Sequence, residues 1–371
     1  MRLKYEQPVG AKKGCAARSS QRQRAAACQP SALTVLSRRS HPSASSAALP
    51  AAADVPWRWS KDDAAALLSG TDAEALCAAI RAEARREWEA FVTPAVRRLR
   101  DKPGELGGTS RGAALAEEAH WTLDKYMMAR SVVTSRAFNL PAPDGAGLVP
   151  GADLFNHAAP GAHSVDFAEG AAGYRLETDD GVPVECVCVA AARAAAAGEE
   201  LFLTYGALPP AELLCHFAFV TEAPPRDEDA TASVSLGELR AAVALKGGVT
   251  ITAANGDAAG EYAVLGGGAP SEALVLAAEA ACGGDAGAAR RAMAGAARRR
   301  LARLEAGERA FGGWAGGAGG GRKEAAKRLR AHERRALQAL LSASEADGMD
   351  ATGEAGAKAG GDAEAWALFS Q

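Results

Sequence analysis

Residues 147–163 read "GLVPGADLFNHAAPGAH". Alanine, glycine and arginine dominate the chain around them. Here Val149-Pro150 leads through Asp153 and two large apolar residues to an Asn156-His157 pair. Such a pair has ordinary uses. It caps a turn, or it sits buried with its polar atoms satisfied by backbone groups. Its neighbourhood decides whether it carries chemistry. "VVTSRAFNL" lies upstream at 132–140 and "GEELFLTYG" follows at 198–206. Between the three segments the pattern is of short strands broken by glycine: "SVDFAEG", "GYRLETDD", "VECVCVA" and "ELFLTYG". Alternation puts Val184, Cys186, Cys188 and Ala190 on one strand face, so the two cysteines read as a buried pair rather than as metal ligands.

Outward from this stretch the pattern turns helical on both sides. "VPWRWSKDDAAALLSGTDAEALCAAIRAEARREWEAFVTPAVRRLR" opens with Ser60 and Asp63 in a capping-box-like start. Gly70 ends that short helix, and Thr71 or Asp72 caps the next. Leu76, Ile80, Trp88 and Phe91 then form one apolar stripe. A second helix is predicted over 112–134, carrying Trp121, Tyr126 and Val133, and a third over 207–223. Residues 232–250 are mixed. From 269 the pattern is helical, broken by the linker "GGWAGGAGGGRK" at 312–323. In the last helix Leu329, His332, Leu337 and Leu340 bracket an amphipathic face.

Composition bounds the function. The 371 residues leave room for about two domains. Apolar residues make up 48% of the chain, but much of that is alanine, which buries little area; the core is expected to rest on Leu, Val, Phe and Trp. A net charge of −3 gives no global field for nucleic acid. No window reaches the length of large apolar residues that a membrane span needs. The seven cysteines show no paired metal spacing, and read as reduced thiols. His120, His163, His216 and His332 fall in four separate segments, and Gly266-Gly267-Gly268 lacks the Gly-Lys-Ser/Thr of a phosphate loop. No metal site is expected. "RRAMAGAARRRLARLE" at 290–305 is a basic helix with a solvated face, or a docking surface for an acidic protein patch. Residues 1–53 hold one acidic residue, Glu6, against nine Lys or Arg, with many Ser and Ala. That is the composition of an organelle transit peptide, or of a disordered tail.

The ordered set of motifs resembles the SET-domain protein methyltransferases, and within them the branch of the Rubisco large-subunit lysine methyltransferases and the related actin-histidine methyltransferases. The resemblance rests on Ser135-Arg136-Ala137-Phe138, on Val149 through His157, on Gly198-Glu199 with Tyr205-Gly206, and on Leu213-Leu214. It covers residues 55–223 well and 224–345 loosely. It implies an α+β fold. A SET domain over 54–223, with its strands in a pseudoknot and a helical insertion at about 60–130, precedes a mainly helical substrate-binding domain over 224–345. A leader (1–53) and a tail (346–371) complete the chain.

The resemblance also implies roles. Asn156 and His157 would hold the adenine and ribose end of S-adenosylmethionine, largely through backbone contacts. Arg136 would lie near the carboxylate of that cofactor, which suits a planar guanidinium fork. Asp153 would position substrate or satisfy nearby N–H groups. Tyr205 would be the catalytic residue, aligning a neutral amine with the sulfonium methyl group. Phe138 stands where the histidine-methylating branch has an asparagine, which favours lysine as acceptor. Phe217 would line the substrate channel, where the family carries a tyrosine. Further departures are Pro209-Pro210 in place of Ser-Asn, and residues 1–54, which lack the family's G-x-G-x-x-A segment. The expectation is a protein-lysine methyltransferase acting as a monomer on a protein substrate in the chloroplast. The alternatives are a non-catalytic SET-like interaction module, a protein-histidine methyltransferase, and a cytoplasmic or nuclear address.

Overall fold

The computed structural model describes residues 53–101, 121–139, 146–149, 151–167, 175–177, 183–185, 189–222, 231–242, 261–264, 269–313 and 319–349. The leader, the tail, Pro150, Cys186, Cys188 and Gly266-Gly267-Gly268 lie outside them. Two compact units emerge, and the second is not continuous in sequence. The described residues from Ala84 to Leu208 form one; Asp54–Glu83 and the chain from Pro209 onward form the other.

The first unit holds the strands that were read from the central stretch. After the end of α2 (Asp72–Glu87) come a π-helical turn (Trp88–Val92), α3 (Thr93–Asp101) and α4 (Leu123–Arg136). The chain then enters a hairpin of β1 (Ala137–Asn139) and β2 (Ala146–Leu148). β5 (Arg175–Glu177) and β6 (Pro183–Glu185) form a second hairpin. The sheet that matters for the site is β3 (Asn156–His157), β8 (Phe202–Leu203), β4 (Val165–Phe167) and β7 (Val189–Ala191), in that order. β8 is threaded between β3 and β4 and runs parallel to both. Ser164 pins it there: its Oγ accepts from Phe202 N–H at 2.7 Å, and its own N–H donates to Phe202 O at 2.9 Å.

The π-helical turn corrects the expected stripe of Leu76, Ile80, Trp88 and Phe91. The extra residue in that turn rotates everything after it, so Phe91 is 48% exposed and Val92 is buried instead. The shared strand face of Val184, Cys186, Cys188 and Ala190 runs through residues 186–188, which lie outside the described residues.

The second unit begins with a 3-10 turn at Pro56–Arg58, α1 (Lys61–Leu68) and the first part of α2. Ser60 caps α1 by accepting from Asp63 N–H at 3.0 Å. Trp57 is fully buried and donates its indole N–H to Cys215 O at 2.9 Å. The unit continues through α5 (Pro210–Phe217), β9 (Ala232–Ser235), α6 (Leu236–Ala242), β10 (Glu261–Val264), α7 (Glu272–Ala281), α8 (Ala286–Gly312) and α9 (Gly320–Met349). Its core gathers Val234, Leu239, Val264, Leu274, Met293, Leu304, Leu337 and Leu340. The same core also takes in Ala278, Ala289, Ala292, Ala296, Ala297 and Ala336. Alanine was expected to contribute little. Here it forms the inner faces of helices, where a short side chain lets backbones come close and dispersion replaces side-chain area.

The turn between α1 and α2 is fixed by charge inside this unit. Arg300 is fully buried; it donates to Gly70 O, to Asp72 Oδ1 at 2.6 Å and to Glu333 Oε2 at 2.8 Å. Glu333 in turn accepts from Asp72 N–H at 2.9 Å. Arg330 donates to Leu67 O and Ser69 O. Burial alone would favour the neutral form of Arg300, but the carboxylates of Asp72 and Glu333 outweigh it and hold the guanidinium charged.

Candidate active site

α4 delivers Arg136 as its last residue, two positions before Phe138 on β1. Gly151 then turns the chain with φ of 94°, a conformation that side-chain-bearing residues rarely adopt, into a single 3-10 turn over Ala152–Leu154. Asp153 is buried in that turn. Its Oδ1 accepts from Gly151 N–H at 2.9 Å. Arg136 Nη1 donates to Asp153 O at 2.6 Å and lies 3.9 Å from the Asp153 carboxylate. The pair ties the end of α4 to the strand that follows.

β3 and β8 bring Asn156-His157 and Tyr205 together. Tyr205 N–H donates to His157 Nδ1 at 3.0 Å, and the two rings lie 5.0 Å apart. An Nδ1 that accepts carries no proton, so the proton of the neutral ring sits on Nε2. Burial lowers the His157 pKa and agrees with that form. The Tyr205 hydroxyl donates to Phe155 O at 2.7 Å. Burial raises its pKa; the Arg136 charge opposes this and Asp153 adds to it. Asn156 is exposed, and its Nδ2 donates to Glu200 Oε1 at 2.7 Å. Phe138 packs edge-on against Phe167 of β4, with ring centroids 5.0 Å apart.

Arg136, Asp153, Asn156, His157 and Tyr205 therefore form one cluster in the first unit. Phe138 lies on the adjoining hairpin. Phe217 ends α5 in the second unit. Sequence reading missed two contributors. Phe155 acts through its carbonyl, which every residue has, so nothing in the sequence marks it. Glu200 is the second glutamate of Gly198-Glu199-Glu200, and only the first was singled out. Among the described residues no group of three or more His, Cys, Asp or Glu could hold a metal ion, and no helix is long and apolar enough to cross a membrane.

Comparison with solved structures identifies the fold as that of the SET domains. Among solved structures, the chain is similar to Rubisco LSMT bound to sinefungin and monomethyllysine, with a TM-score of 0.52 and 17% identity. It is also similar to Rubisco LSMT bound to AdoMet (0.51, 16%) and to the SET domain of LSMT bound to lysine and AdoHcy (0.50, 16%). Each match covers 86% of this chain and 75% of the other. At that identity the likeness establishes the fold. No family model matches the sequence, and no curated protein matches it.

Proposed function

We propose that this chain transfers a methyl group from S-adenosylmethionine to a lysine side chain of a protein. The observation that carries the proposal is the Tyr205 hydroxyl, anchored on Phe155 O beside His157, Arg136 and Asp153. With its proton turned to that carbonyl, the phenol oxygen can meet an incoming amine only as an acceptor. Its raised pKa keeps the phenol protonated at neutral pH. Tyr205 thus aligns the amine and does not deprotonate it. The amine sheds its proton to water, helped by partial desolvation.

The donor set fits the cofactor. Arg136 keeps guanidinium N–H groups beyond those turned to Asp153, suited to a carboxylate. Asn156 offers an exposed carboxamide, and the backbone around His157 offers polar groups for a purine edge. When bound, S-adenosylmethionine supplies an electrophilic methyl on a sulfonium; the chain's own part is alignment. The solved structures holding AdoMet, lysine and monomethyllysine support both cofactor and acceptor class. Phe138 supports lysine over histidine: an imidazole N–H facing a phenyl ring would lose a partner, at about 1–3 kcal/mol. The acid-poor leader supports action in the plastid, which import of the tagged full chain into isolated chloroplasts would test.

The test combines cofactor binding and transfer. S-adenosylhomocysteine at ~100 times its dissociation constant should stabilise the chain by about 2.7 kcal/mol, read as a rise in melting temperature. No shift at millimolar ligand would end the cofactor reading. Tyr205→Phe should keep cofactor affinity within a few-fold while slowing transfer of labelled methyl to plastid proteins by about 30- to 1000-fold. Cofactor binding without transfer to any acceptor would favour the non-catalytic interaction module.

A further inference from the structure

We infer that Glu200 is a positioning residue for the cofactor: its carboxylate fixes which end of the Asn156 carboxamide faces the ligand. The inference rests on the reading of Asn156 as part of the S-adenosylmethionine site. β3 and β8 run parallel, with Asn156 opposite Phe202. Glu200 stands two positions before Phe202, the period that returns a side chain to the same face of a strand. That register brings Glu200 Oε1 to 2.7 Å from Asn156 Nδ2.

The chemistry of the pair is one-sided. An ionised carboxylate only accepts, so the –NH2 end of the carboxamide must turn toward it. Asn156 Oδ1 is then directed away from Glu200 as an acceptor. S-adenosylmethionine carries donors that need one: amino groups at its adenine and methionine ends, and the ribose hydroxyls. Without Glu200 the carboxamide is free to rotate and to flip, and ligand binding must supply the ordering itself.

The neighbouring glutamate has a different task. Glu199 accepts from Ala196 N–H at 2.9 Å and pairs with Arg193 at 2.6 Å, closing the turn before β8. The Ala196 N–H, then Arg193, lower its pKa. Of the two adjacent carboxylates, one builds the turn and the other reaches across to β3.

The experiment is calorimetric titration of the full chain with S-adenosylhomocysteine, with melting temperatures measured without ligand. Glu200→Ala should weaken binding about five- to tenfold, the net scale of one solvent-exposed hydrogen bond, while the ligand-free melting temperature stays unchanged. Glu200→Gln should recover part of the loss, since its amide oxygen can still accept. In an Asn156→Ala background, removing Glu200 should cost nothing further. Equal affinity in wild type and Glu200→Ala would overturn the inference while leaving the cofactor site standing. A full Glu200 effect that persists without Asn156 would also overturn it. A wild-type chain that binds no ligand would remove the cofactor reading, and this inference with it.

Discussion

Ala218 closes α5 with φ of 66° and ψ of 23°, the only described non-glycine residue with positive φ. Its N–H caps the helix on Leu214 O. For an L-residue this conformation costs about 1–2 kcal/mol, because Cβ crowds the following carbonyl. Glycine would relieve that strain but lose about 0.4–1 kcal/mol to the freer unfolded chain. Ala218→Gly should therefore stabilise the protein by roughly 0.5–1 kcal/mol, read as a higher urea midpoint at constant slope.

His157 makes a second prediction at the same scale. Its folded pKa lies below its ordinary value near 6.5 because burial opposes the charge. The unfolded chain thus takes up the proton first as pH falls. The contribution of His157 to stability is complete above about pH 6.5, is lost as pH drops toward the lowered folded pKa, and changes no further below it. Protonation also places a hydrogen on Nδ1, where Tyr205 N–H now donates. Comparing urea midpoints of wild type and His157→Gln from pH 7.5 to 5.5 checks this. Wild type should lose ground to the variant as pH falls, and a constant difference would contradict the assignment.

At the scale of elements, the turn between α1 and α2 depends on two glycines. Gly70 has φ of 78°, and a Cβ there would strike the Arg303 carbonyl. A Cβ on Gly307, in the C-terminal part of α8, would overlap the Ser69 carbonyl oxygen. In an isolated helix Gly307→Ala would raise propensity. Here it should destabilise the protein by about 1–3 kcal/mol, because two backbones must separate. Thermal unfolding distinguishes the outcomes, since a higher melting temperature would mean the backbones can give.

Local signals in the sequence located the elements well where local rules set them. The Ser60 cap and the buried row of Leu329, His332, Leu337 and Leu340 in α9 follow from spacing alone. The exposed Phe91 did not, because no spacing rule marks a π-helical turn. Nor did the glycine-to-carbonyl contact of Gly307: a close approach depends on a residue more than two hundred positions away. That His157 and Tyr205 meet follows from the order of the motifs and the resemblance they carry. Phe155 O and Glu200, the partners of Tyr205 and Asn156, depend on strand register and were not legible.

At the scale of the whole molecule, chain order and structure part company. The tryptophan-bearing segment at 54–83 belongs with helices near the other end of the chain. Composition cannot reveal this, since 54–83 and 84–101 read as one continuous helical run. The threaded strand has a consequence for time rather than for energy. Tyr205 meets Phe155 only after the 50-residue separation between them has been closed, and β8 must enter between neighbours on both sides. Ordering of that kind is slow compared with the growth of a helix such as α8 or α9. After dilution from denaturant, helical circular dichroism should return first, and the capacity to bind S-adenosylhomocysteine should lag behind it in a separate phase. Simultaneous recovery would mean that the strands are already threaded when the helices form. On a ribosome the lag has a direction: β3 and β4 emerge first and must wait, unpaired on one edge, for the strand that joins them.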